Sequence, residues 1–131
     1  MTSKSFDFYQ DHSLHFLEMA LSTDYMERVE NPDGHGKHTG ECGDTAEFFL
    51  MKEGPALSMV CFVIDGCVHT QACCNTIVRL ALGKSIDAAW EITPDAVAGY
   101  LQTLPDSHYH CAELSVGAFY RALSDLGISG P

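Results

Sequence analysis

Strand-like sequence gives way to helix-like sequence along this chain, which predicts an α+β fold. The expected domain is a small antiparallel sheet of two or three strands with four to five helices packed on one face. Three observations carry that prediction. Two stretches rich in apolar and aromatic residues, Thr45 to Lys52 and Leu57 to Asp65, flank a short turn containing Gly54-Pro55. After Gly66-Cys67 the apolar period changes from two to between three and four. Helix punctuation then recurs at Gly83, Thr93-Pro94 and Leu104-Pro105.

Taken in order, Phe8, Leu14, Leu17, Leu21 and Tyr25 recur at helical spacings between about Phe6 and Val29. They predict one or two helices, with Asp11 or Ser13 as caps and Ser22-Thr23-Asp24 as a break. Asn31-Pro32-Asp33-Gly34-His35-Gly36 has the chemistry of a turn and reads as loop. Thr45 to Lys52 alternates Ala46, Phe48 and Leu50 against Glu47, Phe49 and Met51, and pairs across Lys52–Pro55 with Leu57 to Asp65 as an antiparallel hairpin. Ala72, Thr76 and Leu80 with Cys73, Ile77 and Ala81 trace one wide helical face, stopped by Gly83 at a C′ position. Thr93-Pro94 opens a helix running to about Thr103. Leu104-Pro105 breaks it. Asp106 or Ser107 caps a last helix whose Val116, Phe119, Leu123 and Leu126 form one stripe, ended by Gly127.

Bulk properties narrow the function classes. With 131 residues and 46% hydrophobic composition, positions 1–131 suffice for one domain with a real core. Apolar runs such as Leu57 to Ile64 are too short to span a bilayer, and Met1 to Asp11 lacks the apolar region of a secretory signal. A cytoplasmic protein is the expectation. A net charge of −11 repels phosphate backbones and anionic membranes, so neither nucleic acid nor membrane is an expected partner. A basic patch on a protein suits it better. Six cysteines in a reducing compartment point to metal or thiol chemistry rather than disulfides.

The cysteines are distributed unevenly. Cys42-Gly43-Asp44 lies in a glycine-containing loop before a strand, Gly66-Cys67 ends a strand and opens a helix, and His110-Cys111 falls in the first turn of the last helix. Two of these thiols stand near helix N-termini, where unpaired amides and the helix dipole favour the thiolate. Three sulfurs plus one imidazole or carboxylate make a natural tetrahedral set for zinc or an iron–sulfur cluster. None of these three thiols pairs with another as the Cys-x-x-Cys of a zinc finger or thiol redox enzyme, so a site depends on the folded domain.

In this order, with Gly83-Lys84-Ser85 following the intervening helix, these motifs resemble the U-type iron–sulfur cluster scaffold family, the IscU/NifU N-terminal domain family. The resemblance runs from about Asn31 to Leu126. It implies an antiparallel sheet, typically of three strands, with helices on one side. It also implies a carrier rather than a catalyst: sulfur arrives as persulfide from a cysteine desulfurase, iron joins, an electron donor such as a ferredoxin reduces the sulfur, and a [2Fe-2S] cluster passes to apo iron–sulfur proteins. Carried over by position, Cys42, Cys67 and Cys111 are the cluster thiolates and Asp44 the labile oxygen ligand. His110 is an alternative fourth ligand, and Cys111 is the first sulfur acceptor. The same set can hold zinc, so a zinc-bound sulfur relay and a structural zinc domain for protein interactions are the competing readings.

Some stretches depart from the family. Leu104-Pro105-Asp106-Ser107-His108 replaces the Hsp70-docking sequence of bacterial housekeeping members, so the resemblance does not carry an Hsp70-type chaperone with it. Val68-His69-Thr70-Gln71 replaces the usual small residues after Cys67, and Cys73 and Cys74 stand where serines are usual. The short connection from Asn31-Pro32 to Cys42 leaves the family's first strand unaccounted for, and no long insertion precedes His110-Cys111, unlike the zinc-dependent sulfur-acceptor branch. Cys61 reads as core packing, one of Cys73 and Cys74 as core-facing, and His35 and His38 as solvated loop residues. His108 reads as surface, with replacement of His110 as a ligand the alternative; His69 ranks behind His110 as a donor, Trp90 is a core or interface anchor, and Lys84 either docks an acidic partner or favours a helix C-terminus.

Overall fold

The computed structural model describes residues 12–41 and 43–126. Three strands, β1 (Gly34–Thr39), β2 (Thr45–Glu53) and β3 (Ala56–Asp65), form an antiparallel sheet in the order β1-β2-β3. Among the described residues five α-helices accompany it: α1 (Leu14–Leu21), α2 (Val68–Ala81), α3 (Ile86–Ala89), α4 (Pro94–Leu101) and α5 (Tyr109–Ser124), the last entered through a 3-10 turn at Asp106–His108.

The hairpin forms as its alternation dictates. Phe48 stands across from Phe62 and Leu50 from Val60, all fully buried. Phe119 of α5 meets Phe48 edge-on, with ring centroids 5.4 Å apart. Gly54, at φ +60°, supplies the left-handed residue of the tight connection. The caps also follow the sequence. Ser13 Oγ accepts from Phe16 N at 3.0 Å, Thr93 Oγ1 accepts from Ala96 N at 3.1 Å with Pro94 behind it, and Gly83 leaves α2 at φ +81°. Val116, Phe119, Leu123 and Leu126 are all buried.

Four expectations need correction. Residues 34 to 36 are strand, not loop, because α5 lies directly on β1. A Cβ at Gly34 would stand 2.5 Å from Ala122 O, and one at Gly36 would stand 2.2 Å from Ala122 N. Only glycine admits a helix backbone that close, so a packing requirement imitates turn chemistry. Second, the Leu14, Leu21 and Tyr25 stripe is the outward face, at 82%, 54% and 38% exposure; α1 buries Phe16, Met19 and Ala20 instead. The chain after Ser22 does not resume a helix, and Met26 forms an isolated parallel bridge with Phe62. Third, Asp106 and Ser107 build the 3-10 turn rather than capping α5, whose N-cap is His108 without a side-chain cap bond. Fourth, His35 and His38 lie on β1 rather than in a loop, His38 half-buried; His35 bonds Glu47 through Nε2, while Glu47 is also held by Arg28 at 3.1 Å. Asp11, Phe6, Phe8 and Gly127 lie outside the described residues.

Candidate functional site

The hairpin register builds the first half of the site. Thr45 stands across from Asp65, so the next position on each strand brings Asp44 to Gly66. A Cβ at Gly66 would lie 2.7 Å from Asp44 Oδ2 and 2.9 Å from its Cγ, so glycine makes room for the carboxylate. Asp44 is presented by a tight turn in which its carbonyl accepts from Gly40 N at 2.9 Å, and Gly43 takes φ +92°. Cys42 belongs to this turn in sequence but lies outside the described residues.

Cys67 follows Gly66 directly and is the N-cap of α2, with no side-chain cap bond of its own. One turn on, the fully buried Thr70 donates from Oγ1 to Asp44 Oδ2 at 3.1 Å and lies 3.8 Å from Cys67 Sγ. Thr70 therefore ties the carboxylate to the start of α2. Cys111, the third residue of α5, completes the group from the opposite element. Donor atoms of Asp44, Cys67 and Cys111 all lie within 4.8 Å of one another. Two sulfurs on one tetrahedral zinc stand roughly 3.8 Å apart, given Zn–S bonds of about 2.3 Å. The three donors thus fit a single ion with little adjustment, and the pairing of soft thiolates with a hard carboxylate suits zinc or iron. Terminal ligands on opposite irons of a two-iron core lie farther apart than ligands sharing an ion. That cargo needs a wider site.

Burial reverses one expectation about the thiols. Cys111 has no exposed surface, and desolvation pushes its thiol up to about 12, with the neighbouring Cys67 and Asp44 charges adding to the rise and Thr70 opposing it. The first turn of α5 does not make it a ready thiolate. Cys67 is only half-buried.

Imidazoles ring the thiols. His110 is exposed, with Nε2 3.7 Å from Cys111 Sγ. His69 is half-buried, with Nδ1 3.7 Å from Cys67 Sγ. Its pKa is lowered to about 4, chiefly by burial and then by His108, His12 and His110. His108 is half-buried rather than a free surface residue, and its ring stacks on His69 at 3.7 Å between centroids. A cavity of about 500 Å³ opens beside His110, lined by His38, Gly40, Glu41, Glu113 and Leu114. Cys73 and Cys74 are both fully buried rather than one alone, and burial raises both thiols. Cys61 is 4% exposed and faces Glu27 Oε2 at 3.9 Å. Sequence reasoning names Gly66 only as a strand end and Thr70 only as part of the segment after Cys67, and gives neither a role at the site.

Fold and site together define a small α+β domain whose thiolates and carboxylate suit a transition metal. The model of the NifU-like N-terminal domain matches residues 23–127, and the chain belongs to that family. Two curated relatives, the iron–sulfur cluster assembly scaffold proteins IscU 1 and IscU 2 of Archaeoglobus fulgidus, are each 32% identical over 99 residues. Those alignments cover 75% of this chain and 65% of the relatives, just under two thirds of their length. The fold is shared with a putative iron–sulfur cluster assembly scaffold protein for the SUF system from Fervidobacterium islandicum, at TM-score 0.72 and 16% identity, covering 88% of this chain and 98% of that one. It is shared also with a nitrogen-fixing NifU-like protein (N-terminal) from Brucella abortus, at TM-score 0.73 and 15% identity, covering 90% and 95%. The three-stranded antiparallel sheet expected of the family is present, with β1 as its first strand. Among the described residues no helix is long and apolar enough to cross a membrane.

Proposed function

We propose that this chain is an iron–sulfur cluster assembly scaffold that accepts sulfur, binds iron, assembles a labile [2Fe-2S] cluster as cargo and releases it to apo iron–sulfur proteins. The observation that carries this reading is the convergence of Asp44, Cys67 and Cys111 within 4.8 Å from three separate elements. Cys42, two residues before Asp44, supplies the remaining thiolate, and His110 stands beside Cys111 as an alternative donor. One carboxylate among soft thiolates is the exchangeable position, which suits a carrier better than a permanent holder.

Sulfur enters by thiol exchange. A thiolate of the scaffold attacks the outer sulfur of a desulfurase persulfide; the new S–S bond forms as the old one breaks, and the desulfurase cysteine leaves as thiolate. The family resemblance gives this role to Cys111, and the geometry attaches a condition. Its buried thiol reacts only after the first turn of α5 opens or a bound cation draws its proton away. The acidic surface, at net charge −11, fits basic docking faces on the desulfurase and electron donor.

A zinc-holding sulfur relay is the second reading, favoured by the single-ion spacing of the three donors. Anaerobic incubation with iron(II), cysteine, a desulfurase and a reductant separates the two. A visible-absorbing chromophore of two irons per chain, lost in Cys67→Ala, is expected of a scaffold. Persulfide on the chain without iron uptake overturns that assignment. Chelation addresses a structural zinc: the scaffold keeps its far-ultraviolet circular dichroism when metal is stripped, whereas a zinc-dependent domain unfolds.

A further inference from the structure

We propose that His69 is a direct donor to metal held at Cys67, and that His108 is the positioning residue that keeps its ring in place; this rests on the scaffold reading of the same site. His69 Nδ1 lies 3.7 Å from Cys67 Sγ. That is long for a hydrogen bond but close to the separation of about 3.6 Å between nitrogen and sulfur sharing a tetrahedral ion, given bonds of about 2.0–2.1 and 2.3 Å. The neighbouring imidazole of His110 has the same 3.7 Å spacing to Cys111.

Three features make His69 a built donor. It sits in the first turn of α2, two residues from its N-cap Cys67, so regular backbone fixes both atoms. Its ring is stacked on His108, with centroids 3.7 Å apart and planes 20° from parallel, and faces Phe16 at 5.8 Å. The nearby carboxylate of Asp44 is held by Thr70 through Oδ2, which fixes the oxygen donor that His69 would join. His69 stands beside Cys67 rather than among all three of Asp44, Cys67 and Cys111, whose donors cluster without it. It therefore adds a donor from the Cys67 side, alongside Asp44 rather than in its place. The contact joins two segments far apart in sequence, Val68 to Gln71 and Leu104 to His108: each supplies one ring of the stack.

The test loads the full chain with one equivalent of zinc and, separately, of cobalt(II), in wild type, His69→Ala, His69→Phe, His108→Ala and His108→Phe. His69→Phe keeps the ring packing without the donor, so it reports ligation even if the alanine variant fails to fold. Expected are the loss of one imidazole from the zinc X-ray absorption spectrum and at least ~10-fold weaker zinc binding in both His69 variants. Added imidazole restores the cobalt spectrum of His69→Ala, where truncation leaves room for it, and not that of His69→Phe. His108→Phe binds like wild type, and His108→Ala weakens binding. An unchanged imidazole count, with affinity within twofold of wild type in His69→Phe, overturns the ligand assignment. Equal weakening by His108→Ala and His108→Phe overturns the positioning role. Failure of wild type to bind either ion defeats the scaffold reading itself, a different result from a silent His69.

Discussion

Gly36→Ala tests how the fold reaches the site. The added Cβ would stand 2.2 Å from Ala122 N and 2.6 Å from Ala118 O, where ordinary contact begins near 3.4 Å. Both obstacles are α5 backbone, which no rotamer change can move, so the helix must retreat by about an ångström. Overpacking costs about 1–3 kcal/mol, and two backbone atoms against one methyl place this change near 3. Loss of glycine's freedom in the unfolded chain returns about 0.4–1 kcal/mol. The net loss of about 2 kcal/mol corresponds to a fall in Tm of roughly 6–10 °C for a domain of this size. Gly40→Ala is the matched control, because its Cβ meets only Leu114 side-chain atoms at 3.6–3.7 Å. Since α5 also carries Cys111, the cobalt(II) charge-transfer band of Gly36→Ala should shift as well. Calorimetry of both metal-free variants decides the matter. A Gly36→Ala Tm within 2 °C of wild type refutes the close approach of α5 to β1.

Gly66→Ala meets a side chain rather than backbone, so Asp44 swings aside and loses its bond to Thr70; stability falls by only about 1 kcal/mol, while zinc affinity by chelator competition drops roughly 10-fold. Glu47 is 7% exposed, and although burial opposes ionisation, its bonds to His35 and Arg28 hold its carboxyl below the ordinary 4.5. A depressed carboxylate contributes stability above its unfolded pKa and loses it as pH falls through the folded value. Glu47→Gln should therefore cost about 1–2 kcal/mol in urea unfolding at pH 7, discounted because both partners are exposed, and the gap to wild type should narrow below about pH 4.5. Cys111, held to about 12, should be alkylated at pH 8 roughly a thousandfold more slowly than a free thiol. Zinc loading should release its proton, so apparent affinity rises about tenfold per pH unit through this group; mass spectrometry and a pH series of zinc titrations check the two halves.

The parts of the fold set by local chemistry were legible in the sequence. Ser13 and Thr93 cap where a hydroxyl precedes an apolar helix, Gly83 ends α2, and the β2–β3 hairpin follows from alternation about a short turn. Strand β1 was hidden because Gly34 and Gly36 answer to α5, some 80 residues away, rather than to their neighbours. The face of α1 misled for a related reason: Leu14 and Leu21 satisfy helical spacing, but Phe16 and Met19 fill the space against α2 and its surroundings. At the site, motif order named Asp44, Cys67, His110 and Cys111. What no spacing encodes is the network between them. Thr70 reaching Asp44, the stack of His69 on His108, and the burial that raises the Cys111 thiol all arise from elements brought together only by folding.

That network divides the site unequally. The strand register fixes Asp44 against Gly66, the chain fixes Gly66 to Cys67, and α2 fixes Cys67 to Thr70, which returns to Asp44. These four residues close a loop of short constraints. Cys111 reaches them from α5, which enters through the Leu104–Pro105 break and the 3-10 turn and is seated on the sheet by β1 and the aromatic core at its other end. The joint left between the two halves of the site is therefore the first turn of α5. The donors of Asp44, Cys67 and Cys111 have single-ion spacing with that joint closed. The two-iron cargo proposed above, being wider, would be taken up at this joint before the hairpin or α2 has to give, so the turn that buries Cys111 would also govern what the site can hold.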